Sequence, residues 1–178
     1  MRTDVVFAGL GGKGLLTMGQ VLAIAAIREG KQTSWLPSYS PEVRGGWANC
    51  TVVLSDDSIG SPTVGCPAAL VALESTSLTR HASTVRPGGL ILVNSSLAPE
   101  DPGRDDVRLV RVPATEIADE LGNERVVNSI MLGAYAAATN AVRLDSLAEA
   151  VREQLKDRPA LIEVNMEALR RGAEAASA

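Results

Sequence analysis

The chain has 178 residues, 46 % hydrophobic but only 3 % aromatic, with a formal net charge of −4 at pH 7. That length is one domain with room for a three-layer core, which this composition must build from Ala, Val, Leu and Ile. The acidic balance without a dense basic stripe argues against a nucleic-acid partner, and no apolar run reaches the roughly 18 residues of a membrane span.

The first element is the apolar run Val5-Val6-Phe7-Ala8, which breaks into Gly9-Leu10-Gly11-Gly12-Lys13-Gly14 and continues as Leu15-Leu16-Thr17-Met18-Gly19-Gln20-Val21-Leu22. A strand that enters a glycine turn and leaves as an apolar-periodic helix is the opening of a βαβ unit. Gly9, Gly11 and Gly14 fit G-x-G-x-x-G, with Gly12 as an extra. Such a turn lets backbone approach a ligand, and the helix start aims N–H groups and a positive dipole end at an anion. Lys13 adds a mobile positive charge, although the same glycines also serve a tight turn with no ligand.

Two nucleotide readings fail at this turn. A dinucleotide site carries an acidic residue at the end of the second strand, whereas Gln32-Thr33-Ser34-Trp35-Leu36 runs into Pro37 and Ser38. A phosphate-binding P-loop needs Lys followed by Ser or Thr. Here Gly14 follows Lys13.

The first helix is expected from about Lys13 to Glu29, stopped by Gly30, with an apolar face too broad for a surface helix. After the second strand, the segment from Leu36 to Ala48 gathers two prolines, adjacent Gly45 and Gly46, Glu42, Arg44, Tyr39 and Trp47. Such a loop at the carboxyl end of a strand is where open α/β sheets place ligands. Asn49 to Leu54 reads as a third strand, and the polar turn from Asp56 to Pro62 is expected to fold as a hairpin onto the sheet edge. Ala68 to Leu73 reads as a strand buried on both faces. Ser75-Thr76-Ser77 offers caps for a helix through His81, and Leu90 to Asn94 and Val107 to Val112 read as further strands.

A short helix is expected from about Ala114 to Leu121. Asn128 or Ser129 is positioned to cap a longer one from Ile130 to Val142, in which Gly133, Ala134, Ala136, Ala137 and Ala138 form a face of small residues suited to close packing. Helices from Ser146 to about Lys156 and from Pro159 to about Ala175 complete the chain. The expected architecture is α/β: a three-layer α/β/α Rossmann-like sandwich, with a mainly parallel sheet and a helical C-terminal part, as one domain over 1–178.

Convincing catalytic groups are scarce. His81 is the only histidine and has no nucleophile setting near it in sequence; no G-x-S-x-G elbow exists. Cys50 and Cys66 lack the spacing of an iron–sulfur, zinc or disulfide framework and read as small hydrophobes, so a cytoplasmic protein without its own metal is expected. Arg170-Arg171 reads as a solvated helix face. Glu42 and Arg44 either staple the loop or offer a guanidinium fork to a carboxylate or phosphate.

Two motifs together resemble a known family. Gly9-Leu10-Gly11-Gly12-Lys13-Gly14, followed by Ser38-Tyr39-Ser40-Pro41-Glu42-Val43-Arg44-Gly45-Gly46 and by Cys50 with Thr51-Val52-Val53-Leu54-Ser55, resembles the gamma subunit of the 2-oxoacid:ferredoxin oxidoreductases. The likeness continues through Pro67 to Leu73, Gly88 to Asn94 and Asn128-Ser129-Ile130-Met131-Leu132-Gly133-Ala134, nearly the whole chain. Lys13 stands where the family usually has Gln, and Ser40 where it has Gly. The resemblance implies a subunit, inactive alone, of an enzyme that oxidatively decarboxylates a 2-oxoacid to the acyl-CoA and reduces ferredoxin. Thiamine diphosphate, magnesium and iron–sulfur clusters are then held by alpha, beta and, in some members, delta subunits.

On this reading Gly9, Gly11, Gly12, Lys13 and Gly14 cradle an anion. Tyr39, Ser40, Glu42, Arg44, Gly45 and Gly46 face coenzyme A or the neighbouring subunits, and a chain built to dock is expected to self-associate when isolated. Two readings stand beside it: a stand-alone NAD(P)-dependent reductase using the same turn, and an interaction module without a ligand.

Overall fold

The structure, a computed structural model, describes residues 1–11, 14–39 and 46–177. Strands β1 (Arg2–Leu10), β2 (Gln32–Tyr39), β3 (Trp47–Ser55), β4 (Ala69–Ala72), β5 (Leu90–Asn94) and β6 (Arg108–Val112) form a sheet in the order β2-β3-β1-β4-β5-β6. The β1–β4, β4–β5 and β5–β6 pairings are parallel, whereas β3 runs antiparallel to both β1 and β2. The expected α/β sandwich with a mainly parallel sheet is therefore present. The first crossover nevertheless skips a place, because the chain turns back after β2 and inserts β3 beside β1. β2 tolerates Pro37 because it is an edge strand, where a missing N–H costs no ladder bond on the open side.

The helices are α1 (Leu15–Arg28), α2 (Ser75–His81), α3 (Ala114–Glu120), α4 (Val127–Thr139), α5 (Leu144–Gln154) and α6 (Ile162–Ser177). Strand alternation divides the core in two. Val5, Phe7, Cys50, Val52, Val71 and Leu92 meet buried residues of α1 and α3 to α6 on one side. Val6, Ala8, Leu70, Ala72, Ile91 and Val93 meet Leu78 of α2, Ala82 and Val85 just beyond it, and Ala98 on the other, with Val107 and Leu109 at the margin. The two helical layers are thus unequal.

The small-residue face of α4 does what its composition predicts. A Cβ on Gly133 would run into the Leu169 carbonyl of α6, and one on Gly172 into the Ile130 carbonyl of α4. The two helix backbones touch there, and Tyr135, two residues past Gly133, stands edge-on to Phe7 with ring centroids 6.1 Å apart.

Several local expectations are corrected. Asp56 to Pro62 forms no strand. The cap of α2 is Glu74, whose carboxylate accepts the Thr76 and Ser77 N–H groups at 2.7 and 2.8 Å. Neither Asn128 nor Ser129 caps α4, which starts at Val127 directly from a 3-10 turn, and α4 ends three residues early because Asn140 takes a left-handed conformation, φ 52°. Arg170 and Arg171 are ion-paired with Glu167, Glu174 and Glu120. Among the described residues no helix is long and apolar enough to cross a membrane.

Candidate functional site at the sheet rim

β1 and β4 are parallel neighbours whose following helices, α1 and α2, go to opposite faces of the sheet. The crevice outside the carboxyl ends of two such strands is the usual ligand position of an open α/β sheet. The glycine turn leaves β1 at that point. Because β3 is antiparallel to β1, its first residues come to the same rim: Leu10 pairs with Trp47, and the Gly11 N–H donates to the Gly46 carbonyl at 2.9 Å. The glycine turn and the end of the long loop, distant in sequence, are stitched together.

Space at this junction is tight. A Cβ on Gly9 would stand 3.0 Å from Leu15 Cδ1 and 3.1 Å from Leu73 Cδ1, and one on Gly11 would stand 3.2 Å from the Gly46 oxygen. Gly14 precedes α1 in a left-handed conformation, φ 75°, with the Asn128 amide 2.8 Å from where its Cβ would be. α1 begins with no side-chain cap and no acidic residue in its first turn, so no carboxylate there offsets the positive end of its dipole.

Of the sequence-predicted site residues, Gly9, Gly11, Gly14, Tyr39 and Gly46 are brought together along this rim, with Tyr39 64 % exposed. Gly12, Lys13, Ser40, Glu42, Arg44 and Gly45 lie outside the described residues. Two features escaped the sequence. The Arg80 guanidinium stacks over the Trp47 ring, 4.8 Å from its centroid, a cation–π contact that fixes the first residue of β3 against α2. Asn128, read as a helix cap, instead lies against Gly14. Neither pairing has a local signal, since each joins residues brought close only by the sheet order.

The other candidates are structural. Burial pushes the Cys50 thiol up to about 12, against weaker opposing effects of the Trp35 indole and the Gly19 backbone, so it stays protonated and serves as core. His81 is half-buried; burial first, and the adjacent Arg80 second, lower its pKa and favour the neutral ring. Asn94 is fully buried and spends its amide oxygen on the Ala114 N–H, at 3.1 Å, at the start of α3. In a dinucleotide fold a parallel strand with a terminal acid neighbours β1. Here the antiparallel β3 occupies that place, and the acid that follows β4, Glu74, is committed to its helix.

Among the described residues no group of three or more His, Cys, Asp or Glu side chains is placed to hold a metal ion. With Cys50 a buried thiol, this donor set does not fit an iron–sulfur cluster or the magnesium of a thiamine diphosphate site. A cavity of about 460 Å³ bounded by Gln32, Ser34, Ser58, Ile59 and Pro62 lies at the opposite end of the sheet, away from the glycine turn.

The model of the pyruvate ferredoxin/flavodoxin oxidoreductase family matches residues 4–175. The chain belongs to that family. It is 40 % identical to the ketoisovalerate oxidoreductase subunit VorA of Methanothermobacter marburgensis over 96 % of this chain and 36 % of VorA. It is 34 % identical to the 2-oxoglutarate synthase subunit KorC of Methanocaldococcus jannaschii over 87 % of this chain and 84 % of KorC. The solved gamma subunit of a keto/oxoacid ferredoxin oxidoreductase from Geobacter sulfurreducens superposes with a TM-score of 0.86 at 31 % identity, covering 98 % of each chain. The chain thus spans about a third of the VorA length and most of the other two.

Proposed function

We propose that this chain acts as the gamma component of a 2-oxoacid:ferredoxin oxidoreductase, working as one domain over 1–178 and inactive alone. The complex carries out the thiamine-diphosphate-dependent oxidative decarboxylation of a 2-oxoacid to an acyl-CoA and passes the electrons to ferredoxin. Thiamine diphosphate, magnesium and the iron–sulfur clusters belong to the alpha, beta and, where present, delta components.

The observation that carries this reading is the Gly11 to Gly46 hydrogen bond at the switch point of the sheet. It joins the two motifs of the resemblance into one rim. We assign the turn of Gly9, Gly11, Gly12, Lys13 and Gly14 to the phosphates of coenzyme A, with donors from the Lys13 ammonium and the start of α1, since the Gly11 N–H is already given to Gly46. We assign Tyr39, Ser40, Glu42, Arg44, Gly45 and Gly46 to contacts with the coenzyme and the adjoining subunits. The relatives named above act on different 2-oxoacids by their names, ketoisovalerate for one and 2-oxoglutarate for the other. Substrate choice is accordingly assigned to the rest of the enzyme.

Titration of the isolated chain with NAD(H) and with coenzyme A, together with purification of the tagged chain from its native cell, tests the reading. Companion chains bearing thiamine diphosphate and iron–sulfur clusters, with no NAD(H) binding, are expected. Tight NAD(H) binding, or turnover by the chain unaided, would overturn it.

A further inference from the structure

Arg80 stands in the last turn of α2 as an exposed cation that enters no ion pair among the described residues. Arg104, by contrast, is paired with Asp106, Arg170 with Glu167 and Glu174, and Arg171 with Glu120. Arg80 instead lays its guanidinium over the Trp47 ring, 4.8 Å from the centroid. Its backbone is anchored, because the Glu74 carboxylate caps α2, the Ser75 hydroxyl donates to the Leu97 carbonyl at 2.9 Å, and Leu78 is buried in the core. The cation is thus carried to the ring by a fixed element.

Trp47 is placed to pass this constraint on. Strand alternation turns it to the α2 side of the sheet together with its ladder partner Leu10, since Cys50, Val52 and Leu54 face the α1 side. The Trp47 N–H and the Gly46 carbonyl belong to one planar peptide unit, so the direction of that carbonyl follows the placement of Trp47. Gly46 has no side chain with which to fix itself. Its carbonyl is the acceptor of the Gly11 N–H at 2.9 Å. A chain of contacts therefore runs from α2, on one face of the sheet, to the glycine turn that opens α1 on the other.

We propose that Arg80 is a positioning residue: by holding Trp47 it orients the Gly46 carbonyl and, through it, the glycine turn assigned to coenzyme A, without touching the coenzyme itself. The inference deepens the gamma-component reading and rests on it.

The test uses the reconstituted enzyme, with KM for coenzyme A and kcat measured for Arg80→Gln, Arg80→Lys, Trp47→Leu and the Arg80→Gln, Trp47→Leu double variant. Loss of an exposed cation–π contact corresponds to roughly two- to fivefold in an equilibrium, and Arg80→Gln is expected to raise KM by about that factor with little change in kcat. KM does not depend on the fraction of chain that is folded, so a loss of stability alone leaves it unmoved. Arg80→Lys, which keeps a cation over the ring, should recover most of the difference. In the Trp47→Leu background Arg80→Gln should add nothing further, as required of a residue that acts through its neighbour. In the free chain, Arg80→Gln should make the Trp47 emission more accessible to acrylamide, with Trp47→Leu supplying the Trp35 share. The thermal midpoint should fall by no more than about 4 °C.

An unchanged KM or unchanged quenching in a folded Arg80→Gln chain would overturn the positioning role while leaving the functional reading intact. So would an equal rise in KM with Trp47 present and with Trp47 replaced, which would make Arg80 a direct contact of the coenzyme. A wild-type complex without 2-oxoacid turnover would overturn both.

Discussion

Glycine appears in this fold with two different meanings, and comparing them separates stability from function. At the α4–α6 crossing, Gly133 and Gly172 each face the main chain of the opposite helix, so an added methyl has nowhere to go unless the helices part. Beyond Gly9, which Leu15 and Leu73 crowd, the neighbours at the rim are less demanding. The Gly11 position meets one carbonyl at 3.2 Å, and the Gly14 position meets the end of the Asn128 side chain. The interior pair is needed for packing, whereas the rim glycines keep backbone accessible beside a crevice, with Gly14 adding a left-handed turn.

The largest effect is therefore expected inside. Gly172→Val overpacks a backbone contact and should cost about 3 kcal/mol or more, lowering the thermal midpoint by roughly 6–12 °C. A midpoint shift under 2 °C would show that the helices part readily and would remove the contrast. Gly14→Ala is next, with roughly 1–2 kcal/mol for forcing an L-residue into the left-handed region, measured by urea denaturation. In the assembled enzyme the same variant should raise KM for coenzyme A by at least tenfold, a change that the Gly172 variant does not produce once folded.

The smallest expected effect lies at Glu29, away from the rim at the far end of α1. Its carboxylate accepts the Arg143 N–H at 2.7 Å and the Lys31 ammonium at 3.0 Å. Burial alone would raise its pKa, but the Arg143 N–H, the Ser146 hydroxyl and Lys31 together hold it below 4.5. Because the folded-state value is the depressed one, the stabilisation is complete above about pH 4.5 and fades as pH falls below it. Glu29→Gln should cost ~1 kcal/mol at pH 7, and the difference from wild type should shrink toward zero in acid. Turnover of the complex at pH 7 should not change.

Much of this arrangement was legible in the sequence where the signal is local. The turn from Gly9 to Gly14 announced a strand-to-helix junction, the apolar runs at Ala69–Ala72 and Leu90–Asn94 announced buried parallel strands, and Gly133 with its alanines announced close helix packing. What was hidden depends on pairing across the chain. Nothing in Asn49 to Leu54 says that it lies antiparallel between β1 and β2, since alternation fixes a face and not a neighbour. Gly172 lies in an ordinary amphipathic stretch and gains its role only from Ile130 opposite. Glu74 displaced the serines as the cap of α2 because its carboxylate reaches two N–H groups at once. Half of the candidate site was visible as motif residues, while its assembly through Gly46, the Trp47–Arg80 stack and the Asn128 contact required the fold.

The central claim is that the Tyr39 to Gly46 loop serves a reaction carried out by the assembled enzyme and not the stability of this chain. Arg44→Ala tests it most directly, with 2-oxoacid turnover of the reconstituted complex and the thermal midpoint of the free chain measured side by side. The account predicts turnover reduced at least tenfold with the midpoint within 2 °C of wild type. Unchanged turnover, or a fall in activity fully matched by loss of the folded chain, would contradict it.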